Sequence, residues 1–84
     1  MARVVWPESL LGVLEEFPAR DRELILEKAG ALERFPTMHP VRAKGPFRQQ
    51  RWFVAGNWLV YYRVVERTVY IRALWPARIP LPQS

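Results

Sequence analysis

Two tyrosines and two arginines alternate in the second half of this chain: Tyr61 and Arg63, then Tyr70 and Arg72. Rings and guanidinium groups on one strand face can act together. A ring stacks on a nucleobase, at roughly 1–3 kcal/mol per base, while a guanidinium fork meets a phosphate. The surrounding charge is one-sided. Residues 40–84 hold Arg42, Lys44, Arg48, Arg51, Arg63, Arg67, Arg72 and Arg78 against a single acid, Glu66. Residues 1–39 hold five basic and seven acidic groups, so the net charge of +5 averages two opposite halves. A basic, aromatic half of this kind expects a polyanion, most commonly nucleic acid. The competing reading is a solvated sheet whose arginines blunt its edges.

Other chemistry is thinly represented. His39 is the only histidine, and it sits in the loop Thr37-Met38-His39-Pro40, far in sequence from the sheet arginines. It reads as an exposed loop residue first and as an acid or base second. There is no cysteine, and one histidine with scattered carboxylates does not make a metal site. No metal and no cofactor are expected. Glu15, Glu16 and Glu66 read as solvated. No Gly-rich phosphate loop and no Gly-x-Ser-x-Gly motif occurs. Trp6, Trp58 and Trp75 read as core, whereas Trp52 is expected at a partly exposed or partner-facing position.

The elements that must position these residues follow from proline and glycine punctuation. The 84 residues suit one domain spanning 1–84. Arg3 to Trp6 is β-branched and reads as a strand. Pro7 opens a first helix carrying Leu10, Leu14 and Phe17 at helical spacing, and Pro18 closes it. A second helix fits Ala19 to Arg34, with Ile25, Ala29 and Leu32 as its apolar stripe, joined by Leu24 and Phe35. Gly30 within it suggests close packing against a neighbour. After a loop with Pro40, Gly45 and Pro46, three strands are expected: Phe47–Val54, Trp58–Val65 and Thr68–Trp75. The tail, with Pro80 and Pro82, reads as extended. The expected class is α+β in the order β-α-α-β-β-β, an antiparallel sheet with a two-helix hairpin on one face.

Strand alternation assigns the faces. Trp58, Val60, Tyr62 and Val64, with Val69, Ile71, Ala73 and Trp75, are expected under the helices. Leu59, Tyr61, Arg63, Val65, Thr68, Tyr70, Arg72 and Leu74 would form the open face. The Phe47–Val54 segment fits neither register cleanly. A bulge near Gly56 would let Arg48 and Arg51 both reach the open rim. No run approaches the roughly 18 apolar residues of a membrane span. Pro7 and Glu8 interrupt any apolar leader. A cytoplasmic location with no membrane partner is the expectation.

In order, VVWPESLLGVLEEFP, ILEKAGALERFP, VRAKG, GNWLVYYRV and VYIRALWPAR resemble the strands, helices and loop of the RelE/ParE superfamily, the toxins of type II toxin–antitoxin pairs. The resemblance covers almost the whole chain and rests on the order of these segments. It implies a toxin that cuts messenger RNA at the ribosome as a metal-independent endoribonuclease. A 2′-hydroxyl would attack the adjacent phosphate while basic side chains assist proton transfer and stabilise charge. Arg78, Arg63, Arg51 and Arg48 are the implied catalytic residues. Lys44, Tyr61, Tyr70, Arg72 and Trp52 would bind RNA. The implied partners are a cognate antitoxin, forming a hetero-oligomer, and the ribosome with its mRNA. ParE-like members share the fold and inhibit gyrase, so a non-catalytic protein-binding toxin, or a relative that binds only its antitoxin, is the alternative. The chain departs from the family pattern at Leu59, where an arginine is usual, and at Pro76, where some members carry histidine. Arg63 is a candidate substitute for the arginine absent at Leu59.

Overall fold

The computed structural model describes residues 1–78. The element order is β1 (Arg3–Val5), α1 (Glu8–Glu15), α2 (Ala19–Gly30), a 3₁₀ turn (Ala31–Glu33), β2 (Arg51–Ala55), β3 (Trp58–Val65) and β4 (Thr68–Pro76). This is an α+β fold. The expected extended tail lies outside the described residues, apart from its first turn.

Prolines set both helix starts. Pro7 has φ −61° and ψ 144°, just outside the helix. Its carbonyl accepts from the Leu10 and Leu11 amides at 3.0 Å each. Pro18 plays the same part for α2, with φ −53° and ψ 143°. Arg22 ties the helices together by donating from Nη1 to the carbonyls of Glu15 and Phe17, both at 3.4 Å. These carbonyls lie at the end of α1, where helical partners run out. Leu14, Ile25, Ala29 and Leu32 are buried with Phe53, Ala55, Val60, Tyr62, Val69 and Ile71 in one core. Each fully buried leucine or isoleucine contributes about 1.5–3 kcal/mol.

The sheet runs in the order β1-β4-β3-β2. β2, β3 and β4 form the expected antiparallel meander. β1 lies parallel to β4, with Val4 opposite Val69, so the sheet as a whole is mixed. The chain reaches β4 from β1 by way of both helices, β2 and β3, ample length for the crossover that a parallel neighbour requires. Gly56 turns the first hairpin at φ 60° and Glu66 turns the second at φ 55°.

Four expectations need correction. β2 begins at Arg51, not Phe47. Residues 40–42 instead pair with 49–52 through Arg42 N–H to Gln50 O (2.8 Å), Gln49 N–H to Arg42 O (2.8 Å) and Trp52 N–H to Pro40 O (3.1 Å). Residues 43–48 loop between them, and Gln49 takes φ 68°. The expected loop, with Gly45-Pro46 in it, runs on past Pro46 to Gln50 before the strand begins. Second, the bulge lies in β4. Tyr61 faces Ala73 and Tyr62 faces Ile71, which leaves Arg72 as the extra residue. Past it the faces exchange: Leu74 packs on the core, while Ala73 and Trp75 move to the side away from the helices. Third, Phe35 is 61 % exposed and does not join the helical stripe. Fourth, a Cβ added at Gly30 meets nothing within 4 Å, so no close packing explains that glycine.

Candidate nucleic-acid interface

Along the helix-free side of the sheet, register places Val65 and Thr68, Arg63 and Tyr70, Tyr61 and Ala73, then Leu59 and Trp75 in successive cross-strand pairs. Arg63 and Tyr70 are both exposed. Their side chains are direct neighbours, because paired residues carry Cβ atoms about 4.5–5.5 Å apart. Arg72 projects from the bulge and is exposed. Trp52 pairs with Tyr61 from β2 and is half-buried. Arg63, Arg72, Arg78, Lys44 and Arg48 form no side-chain hydrogen bond or ion pair among the described residues.

Arg78 follows the end of β4 in an exposed turn, where Ala77 N–H donates to Asn57 O at 2.8 Å. That turn adjoins the Trp58–Pro76 end of the sheet, five residues along β3 from Arg63. Five strand residues span about 17 Å. Arg78 therefore follows the end of the sheet away from Arg63, about 17 Å along β3. Leu59 faces Trp75 on the same side and is half-buried.

Two expected participants are placed otherwise. Arg51 pairs with Tyr62, on the side that faces the helices. Its Nη1 donates to His39 O at 2.7 Å and to Thr37 O at 3.3 Å. It anchors the loop after the 3₁₀ turn and does not reach the open rim. Tyr61 is on the helix-free side but is fully buried. Phe47 stacks on its ring with centroids 4.2 Å apart and an interplanar angle of 25°. Trp75 meets Phe47 edge-on at 6.5 Å, so it packs outside the helical core expected for it. Burial pushes the Tyr61 phenol up from 10.0, against the opposing pull of the Arg42 charge.

A second polar cluster sits on the helix side. Tyr62 donates to Pro36 O at 3.0 Å, and Lys28 Nζ donates to Val54 O at 2.7 Å. His39 is half-buried rather than exposed. It stacks on Phe53 at 4.9 Å and meets Tyr62 edge-on at 6.2 Å. Burial, then the nearby Lys28 charge, lowers its pKa below 6.5. The sheet separates His39 from Arg63 and Arg72. Tyr62, Arg51 and Lys28 each donate to a backbone carbonyl, so this cluster pins the loop before β2 and edge strand β2 itself.

Sequence reasoning did not single out Phe47 or Arg42 as participants. Gly45-Pro46 marks a turn in this segment, but its return across the sheet is set by packing and carries no local signal. Among the described residues no group of three or more His, Cys, Asp or Glu could hold a metal ion, and no helix is long and apolar enough to cross a membrane. Arginines beside rings, without acidic neighbours on the same strands, suit a single-stranded polyanion with stackable bases. Comparison with known proteins returns no matching family model, no matching curated protein and no matching solved structure.

Proposed function

We propose that this chain is a toxin of the RelE/ParE type that engages RNA at the ribosome through its helix-free sheet face and is neutralised by a protein antitoxin. The observation that carries the reading is the stripe of unpaired cations on that face. Arg63 stands beside Tyr70, Arg72 projects from the bulge, and Arg78 is exposed in the turn that follows β4. Cations spread over about 17 Å follow a phosphate backbone better than they enclose one scissile bond. Binding is thus the better-supported form of the function. Cleavage would need Arg78 or Arg63 to act with another group brought by the ribosome, since Arg51 is committed to loop carbonyls.

Expression of the chain in bacterial cells, with growth, RNA crosslinking and mRNA 5′ ends read together, tests this. Growth arrest with RNA crosslinked to the wild type, and loss of both in Arg63→Ala/Arg72→Ala, is expected. Codon-phased 5′ ends that vanish in Arg78→Ala would add cleavage to binding. Arrest with double-stranded DNA breaks and no crosslinked RNA would replace the RNA target with gyrase. Absence of any arrest would overturn the toxin reading.

A further inference from the structure

One place on the helix-free face is covered by the chain itself. Phe47 lies on Tyr61 at 4.2 Å and 25°, the offset parallel arrangement that a nucleobase adopts on a ring. The cover is polar underneath. The Tyr61 hydroxyl, Arg42 Nε and Gln50 Oε1 are all buried without a hydrogen-bond partner, and Tyr61 itself is 0 % exposed. Buried polar groups are normally paired, so this closed arrangement leaves unmet demand for donors and acceptors beside a stacking ring. Base edges and a phosphate oxygen supply both.

Backbone bonds fasten the cover: within it, Arg48 N–H donates to Gly45 O at 3.2 Å and Gln50 N–H to Phe47 O at 3.1 Å. Its base is closed by two backbone bonds between Arg42 and residues 49 and 50. Gln49 holds φ 68°, a region that costs a residue with a side chain. The loop exposes Lys44 and Arg48, so a strand that enters meets cations carried on the cover. We propose that residues 42–50 form a cover in which Phe47 occupies a nucleobase-stacking site on Tyr61, and that single-stranded RNA displaces Phe47 to stack there. This inference rests on the RNA-binding reading above and names the subsite where a base would sit.

The test measures affinity for a labelled ten-nucleotide single-stranded RNA by fluorescence anisotropy, beside an abasic phosphodiester strand of the same length. Phe47→Ala removes the occupant and is expected to tighten RNA binding about tenfold, equivalent to about 1.4 kcal/mol, with no gain on the abasic strand. Phe47→Leu keeps the volume but stacks less well, so it should show a smaller gain in the same direction. It also serves if Phe47→Ala folds poorly by circular dichroism. In the wild type, RNA should speed hydrogen exchange at the Arg42 and Gln49 amides and leave β3 unchanged. If the wild type binds RNA but neither variant binds it tighter, or the abasic strand gains equally, the cover is overturned and the face reading stands. If no form binds RNA, both fall.

Discussion

Arg51 and Arg63 show how two arginines of one sheet come to do different work. Arg51 is half-buried and its guanidinium donates to two carbonyls. Hydrogen bonds from charged groups contribute about 1.5–3 kcal/mol, so Arg51→Ala should lower unfolding stability by about 1.5 kcal/mol or more in urea titration. Arg63 is exposed and unpaired. Arg63→Ala should leave stability within about 0.5 kcal/mol while weakening RNA binding. Equal stability losses in the two variants would contradict this division. His39 supplies a pH test. Its folded pKa lies below the unfolded 6.5, so the unfolded chain takes up the proton first as pH falls. Stability contributed by neutral His39 is therefore present above 6.5 and lost on acidification toward the folded value. The melting temperature should drop between about pH 7.5 and pH 5.5, and His39→Phe should flatten that drop. These roles were not legible in the sequence, because residue type alone does not reveal which carbonyls a loop turns toward a guanidinium.

At the scale of elements, proline brackets made α1 and the start of α2 legible, and Ile25, Ala29 and Leu32 gave the buried stripe directly. The faces of β3 were readable by alternation throughout. Those of β4 were readable only up to Arg72, since a single inserted residue reverses every later side chain and period-two counting cannot see it. Two substitutions probe elements without touching the interface. Gly30 is helical, with φ −61° and ψ −32°, and has open space around it. Gly30→Ala should stabilise the fold by about 0.5–1 kcal/mol. Glu66 holds φ 55° in the β3–β4 turn. Glu66→Gly should raise the melting temperature by relieving a strain of about 1 kcal/mol. A fall in stability for Gly30→Ala would mean that the C-terminal turn of α2 differs from that described.

Across the whole molecule, acidic groups outnumber basic ones through the helices, and nearly all charge beyond residue 40 is positive. That segregation was legible in the sequence, as was the existence of a helix-free face with Arg63, Tyr70 and Arg72 on it. The closure of that face over Tyr61 was not. It depends on Phe47 turning back across the sheet, a long-range packing event without a local signal. The most direct measurement is the salt dependence of single-stranded RNA affinity in the wild type, Arg63→Ala, Arg72→Ala and Arg78→Ala. Each phosphate contact contributes about 0.7 to the slope of log K against log salt on a single strand. The cation stripe predicts a steep wild-type slope that falls by about 0.7 in each variant, with folding stability unchanged. A flat wild-type slope, or three variants that bind like the wild type, would contradict it.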